Sequence, residues 1–243
     1  KAISRIFLDA SDSRSLEEQV YRIGSLIPDV DMRKPLSLMD VNQTELPKDL
    51  EFYNGYGGFV SDGSEYLINR VDTPTPWVNV IANDNFGTIV TNNTGGFSYA
   101  YNSREFKLTS WSNDVTTDPS SESIIVNDKK FIPSIVKHGF GYSTFYNSAD
   151  DYELFVKQFV GLDKNVKFYD LNITNKLKDK QEFNLSLTFK PVLGVTEEAS
   201  YRHILCDFDK KKNCLYMRNV YSNAFGDVRF FVSATEQIEG YDD

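Results

Sequence analysis

The side chains that carry most enzyme chemistry are scarce in this chain, which has two His and two Cys in 243 residues. His138 lies in Lys137-His-Gly-Phe-Gly-Tyr142, and His203 lies in a segment of strand character. A catalytic imidazole needs an orienting carboxylate and a nucleophile or substrate proton within reach. Neither is signalled beside either residue, so both are expected to be hydrogen-bonded structural histidines. Cys206 and Cys214 flank Asp-Phe-Asp-Lys-Lys-Lys-Asn. A turn centred on Lys211 leaves them off register for a disulfide, and reduced thiols of a cytoplasmic protein are the expectation. A zinc site would need more ligands than two Cys and two distant His offer, so no metal is expected. The glycine clusters Asn54-Gly-Tyr-Gly-Gly58, Thr94-Gly-Gly96 and Gly139-Phe-Gly141 lack a following Lys-Ser/Thr and open no helix. They fail as phosphate cradles and read as turns, bulges and positive-φ positions.

Carboxylates are plentiful. Asp114 and Asp118 share one loop, and Glu197-Glu198 follows a strand. Inverting glycoside cleavage needs an acid and a base some distance apart, but turn aspartates that bond their own backbone give the same pattern. The richest segment is Tyr99-Ala-Tyr-Asn-Ser-Arg-Glu-Phe-Lys-Leu-Thr-Ser-Trp-Ser-Asn-Asp114. It mixes aromatic faces, which pack on pyranose rings, with planar polar groups that bond hydroxyls. Read from the residues alone it is either a sugar-recognition segment or a strand whose aromatics are core.

The elements that would position these residues are mostly strands. Ser15-Leu-Glu-Glu18 is a capping-box pattern, and Leu16, Val20, Ile23 and Ile27 recur at helical spacing until Pro28 stops them. Residues 28–50 read as an irregular connector, so 1–50 form an arm with one short helix. From residue 51 onward short strands and turns take over, to residue 243. Phe59 to Arg70 reads as a hairpin around Asp62-Gly63. Phe183-Asn-Leu-Ser-Leu-Thr-Phe-Lys190 alternates apolar and polar at every position and is expected to bury one face. About a dozen strands without βαβ alternation predict a large antiparallel sandwich of two packed sheets.

Composition bounds the function. With 40% hydrophobic and 25% charged residues the chain is an ordinary globular protein, and no segment approaches the roughly 20 apolar residues of a membrane span. A net charge of −9 and a pI near 4.8 argue against nucleic acid or an anionic membrane as a partner. N-x-Ser/Thr sequons occur at Asn42, Asn92, Asn172 and Asn184, and matter only in a secretory pathway that nothing else suggests. A chain that opens on Lys1 and closes on Tyr241-Asp-Asp243 reads as a piece of a longer protein.

Taken in order, several uncommon motifs resemble glycoside hydrolase family 94. They are Asn54-Gly-Tyr-Gly-Gly-Phe59, Asp62-Gly, Glu65-Tyr-Leu-Ile68, Asp72-Thr-Pro-Thr-Pro-Trp-Val-Asn79 and Phe86-Gly-Thr. Thr94-Gly-Gly-Phe-Ser-Tyr99, Asn102-Ser-Arg-Glu105, Leu108-Thr-Ser-Trp-Ser-Asn-Asp114 and His138-Gly-Phe-Gly-Tyr142 follow. The family holds cellobiose, chitobiose and 1,2-β-oligoglucan phosphorylases and the phosphorylase-like part of cyclic β-1,2-glucan synthases. The Asn-Ser-Arg-Glu and Thr-x-Trp-Ser-Asn-Asp segments, with the extra arm, are most similar to the β-1,2-glucan branch.

The resemblance implies an all-β, galactose-mutarotase-like supersandwich at 51–243, followed in the parent protein by an (α/α)6 barrel that holds the Asp general acid. Phosphate attacks the anomeric carbon there with inversion and is a substrate, so no cofactor is implied. The chain alone is then expected to be a non-catalytic domain without phosphorolytic activity. Its implied partners are that barrel, a β-glucan oligosaccharide and a second subunit of a homodimer. Asn102, Arg104, Glu105 and Trp111 are the residues expected to border a sugar cleft. Two other readings have their own requirements. An independent carbohydrate-binding module needs a sheet face or cleft lined by aromatic rings. An aldose epimerase needs a His and a carboxylate converging on a sugar-sized cleft.

Overall fold

The computed structural model describes residues 15, 17–19, 46–60, 62–111, 121–222 and 226–242, with the backbone of 37–38. The chain divides into two compact units, residues 1–36 and 37–243. In the first, the capping box forms as its residues dictate. The Ser15 N–H donates to Glu18 Oε2 at 2.8 Å, and the Glu18 N–H donates back to Ser15 Oγ at 3.2 Å. Residues 17–19 are helical. The periodic positions Leu16, Val20, Ile23 and Ile27, the stop at Pro28 and most of the expected connector lie outside the described residues.

The second unit is all-β. Its strands are β1 Ser37–Leu38, β2 Gly57–Phe59, β3 Glu65–Ile68, β4 Val78–Ala82, β5 Phe86–Thr91 and β6 Gly96–Ala100. Next come β7 Lys107–Thr109, β8 Glu122–Val126, β9 Lys129–Lys130, β10 Ile135–Gly139, β11 Tyr142–Ser148 and β12 Tyr152–Val160. Last are β13 Lys167–Asn175, β14 Leu185–Phe189, β15 Pro191–Gly194, β16 Ile204–Asp209, β17 Cys214–Asn219 and β18 Phe230–Ser233. A short helix, α1 Glu197–Ser200, precedes β16, and a single 3-10 turn at Tyr201–His203 lies between them, so His203 sits in that turn where a strand segment was expected. Thr196 caps α1 by accepting the Ala199 N–H at 3.4 Å, an N-cap that the sequence reading passed over.

Hydrogen bonding joins these strands into four sheets where two were expected. The largest runs β13-β12-β11-β10-β3-β2, the next β15-β7-β6-β5-β4, then β1-β9-β8-β14, and last β16-β17-β18. Every pairing is antiparallel except β1 with β9, which is parallel. Ladders end where the backbone cannot continue them. Pro191 has no N–H to donate, and the β15–β7 register shifts between Pro191 and Gly194. The hydrophobic core nevertheless draws on all four sheets, with Phe145, Leu154 and Val156 from the largest, Val90 and Leu108 from the second, Ile124 and Val126 from the third and Met217 from the last. The alternation read in Phe183–Lys190 is only partly used. Leu187 packs against the core, while Leu185 on the same face stays 41% exposed at the sheet edge.

Asparagine side chains clamp the second sheet to its surroundings. Asn79 Nδ2 donates to the carbonyls of Gly139 and Tyr142, each at 2.9 Å, and Asn83 Nδ2 to those of Gly161 and Lys164 at 2.7 and 2.9 Å. Asn92 is buried, accepts the Trp77 N–H at 3.0 Å and is consumed by folding despite its sequon.

Candidate functional site

The β6–β7 connection holds three of the four residues expected to meet sugar. Asn102 Oδ1 accepts the backbone N–H groups of Arg104 and Glu105, each at 2.9 Å, and Asn102 O accepts the Phe106 N–H at 2.9 Å. The asparagine therefore builds the turn, and Arg104 and Glu105 extend from it into solvent, 3.3 Å apart. At that exposure the pair adds little stability. Tyr101 precedes them with a φ of 58° and 69% exposure, an outlier for a bulky side chain that is neither glycine nor buried. Its ring meets Phe106 edge-on at 6.1 Å. Tyr101 lay inside the aromatic segment, but its backbone conformation had no sequence signal.

Trp111 is not part of this group. It stands beyond the opposite end of β7, half-buried, and stacks on Phe97 at 5.0 Å. Asp114 and Asp118 lie outside the described residues. The segment thus carries a solvent-facing turn at one end and a half-buried ring stacked on the buried Phe97 at the other.

A second polar group sits behind this hairpin and was missed. Glu122 on β8 is buried, and its Oε1 accepts from Ser98 Oγ and Thr109 Oγ1, both at 2.8 Å. Its Oε2 accepts from Lys167 Nζ at 2.5 Å and from the Tyr169 hydroxyl. Lys167 Nζ also donates to Thr88 Oγ1 at 3.1 Å. Burial pushes Glu122 upward, yet Lys167 and the hydrogen bonds of Lys167, Tyr169 and Ser98 outweigh it and hold the carboxyl below its usual range. Tyr169 is driven well above its ordinary value by the same burial and by Glu122. A carboxylate with both oxygens saturated and no path to solvent has no proton to trade, so this cluster bonds three sheets together. One signal was available: Lys167 shares its inward face with Tyr169, Leu171 and Ile173, where a lysine requires a partner.

His138 fits the expectation of a hydrogen-bonded histidine, and His203 makes a ring contact. His138 Nδ1 and Ser143 Oγ are 2.9 Å apart, and burial, opposed weakly by the Trp77 backbone, lowers the ring to about 4. His203 stacks on Tyr221 at 4.6 Å. Neither is paired with a carboxylate, so the acid–base couple of an epimerase is missing among the described residues. Cys206 and Cys214 are not joined by a disulfide. Cys206 pairs in register with Met217, and Cys214 with Asp209, which sets the two on opposite faces of their sheet. Among the described residues no group of three or more His, Cys, Asp or Glu could hold a metal ion, and no helix is long and apolar enough to cross a membrane.

Comparison with known proteins follows the same strands. Residues 64–242 match the family described as glycosyl hydrolase 94, supersandwich domain. The cyclic beta-(1,2)-glucan synthase NdvB of Rhizobium meliloti is 30% identical over 211 residues, 79% of this chain and 8% of that protein. The N,N'-diacetylchitobiose phosphorylase of Vibrio proteolyticus is 26% identical over 179 residues, 66% of this chain and 21% of the enzyme. That of Vibrio furnissii is 25% identical over 178 residues, with the same coverage of 66% and 21%. The chain therefore spans a small part of the length of each relative.

Proposed function

Because this chain belongs to the glycosyl hydrolase 94 supersandwich family, we propose that it is the non-catalytic sandwich domain of a β-glucan-processing protein. The parent would be an inverting glycoside phosphorylase, with inorganic phosphate as its second substrate, or a cyclic β-1,2-glucan synthase. In this reading the four sheets build a two-layer supersandwich, the chemistry belongs to a helical barrel elsewhere in the parent, and the parent is a cytoplasmic homodimer. The observation that carries the reading is the turn at 101–105. An exposed tyrosine ring in a left-handed backbone conformation stands beside an unburied arginine and glutamate. Backbone strain of this kind persists where the surroundings impose it, and it clusters at ligand contacts. Tyr101 would stack on a sugar, Arg104 and Glu105 would bond its hydroxyls, and Asn102 would hold the turn.

The test has two arms. The 243-residue chain incubated with phosphate and β-1,2-glucan is expected to release no sugar phosphate. In the parent protein, Tyr101→Ala and Arg104→Ala are expected to raise KM for glucan with little effect on thermal stability. Sugar phosphate from the chain alone, or an unchanged KM in both variants, would sink the proposal.

A further inference from the structure

The outer face of the largest sheet carries an open groove of about 340 Å³, within the range of small-ligand pockets, lined by Glu65, Ile135, Lys137, Thr144, Tyr146 and Phe155. Its layout follows from register. Ile135 pairs with Tyr146, and Tyr146 with Phe155, so these three form an apolar row across β10, β11 and β12. Lys137 pairs with Thr144, and Thr144 with Lys157, which makes a polar row two residues along the strands, roughly 7 Å away. In the next row Gly139 pairs with both Glu65 and Tyr142. A Cβ at Gly139 would lie 2.6 Å from the Tyr142 ring, so the glycine is what lets that ring lie across the strand. From there the Tyr142 hydroxyl donates to Glu65 Oε1 at 2.7 Å, while Lys137 Nζ donates to Glu65 Oε2 at 3.0 Å. Lys157 covers the outer side of the same ring, 4.6 Å from its centroid.

We propose that this groove binds a pyranose ring of a neutral oligosaccharide. A pyranose has an apolar C–H face and a rim of hydroxyls, and the groove offers an apolar row beside a row of fixed polar groups at matching width. The rings are accessible, with Phe155 40% exposed. Glu65 and Lys137 offset one another at 3.0 Å, and Lys157 of the same row is drawn over the Tyr142 ring. A protein partner fits less well, because the centres of protein interfaces are depleted of Lys and Glu, and here both stand among the rings. The pyranose class rests on the groove itself; only its identity as a β-glucan rests on the proposed function above.

Titration of the 243-residue chain with a β-1,2-linked glucotetraose, cellotetraose and chitobiose decides the matter. At least one is expected to bind at millimolar concentration or tighter. Phe155→Ala and Tyr146→Ala should each weaken it at least about fivefold. Leu162→Ala, at an exposed position away from the groove, should leave it unchanged. Phe155 is a surface residue, so its variant keeps the parent melting temperature and controls for misfolding at Tyr146. Chitobiose binding lost with Phe155→Ala, without glucan binding, supports the groove and counts against the glucan reading. Two results overturn the proposal: no binding by any of the sugars, or binding that survives both aromatic truncations. A change of oligomeric state in Phe155→Ala with sugar binding intact also overturns it, since the face then serves a second copy of the chain.

Discussion

At the scale of single residues, the decisive groups are those that folding has removed from water. Lys167 and Glu122 have side chains 7% and 4% exposed and satisfy one another together with Ser98, Thr109, Thr88 and Tyr169. Removing one partner leaves the other charge buried. Lys167→Met should therefore lower the unfolding free energy by about 3–5 kcal/mol, and adding Glu122→Gln should recover part of it. Denaturant titration of the two variants checks both statements. His138 makes a pH-dependent contribution of definite sign. Its folded value of about 4 lies below the ordinary 6.5, so the unfolded chain binds the proton first as pH falls. Stability that is complete above pH 6.5 is lost down to about pH 4, by at most about 3 kcal/mol. Glu122, also lowered, adds a loss that begins below its ordinary 4.5. His138→Gln should flatten the upper part of a stability–pH curve and leave the lower part in place.

At the scale of elements, close approach of backbones limits what can be substituted. Gly96 has a φ of +128°, and a Cβ there would fall 1.9 Å from the carbonyl oxygen of Ile89 on the paired strand. Gly96→Ala should destabilise by several kcal/mol, about 3 or more, through lost β5–β6 pairing, visible as a lower melting temperature. The β16–β17 hairpin bears on redox behaviour. With Cys206 opposite Met217 and Cys214 opposite Asp209, the two sulfurs lie on different sides of the sheet. Air-oxidised protein, once unfolded, should still titrate two thiols, and one or none would contradict the register. Much of this level was legible beforehand. The Asp62-Gly63 hairpin formed as read, with Asp62 Oδ1 accepting the Ser64 N–H at 2.9 Å. The capping box at Ser15 and Glu18 did as well, because both motifs are local and their bonds span two or three residues. The turn that holds His203 and the exposed end of β14 were misread, since propensity and alternation do not say which neighbours will cover a strand.

At the scale of the molecule, four hydrogen-bonded sheets share one core cluster, so residues 37–243 should lose structure together. Phe145→Ala removes a fully buried ring contributed to that cluster and should cost about 3–5 kcal/mol while keeping a single thermal transition. Separate transitions for the sheets would refute a common core. The amino-acid sequence by itself determined the all-β class, the turns, the acidic charge and the family, because each is written in short-range pattern or in ordered motifs. It also placed Asn102, Arg104 and Glu105 in one turn, since they are neighbours in the chain. Only the tertiary structure decided that Trp111 packs on Phe97, that Glu122 meets Lys167 from 45 residues away, and that Tyr146 and Phe155 form one row with Ile135. Those contacts depend on strand register and on which sheet faces which. In a β protein such pairings join distant parts of the chain, and no local pattern records them.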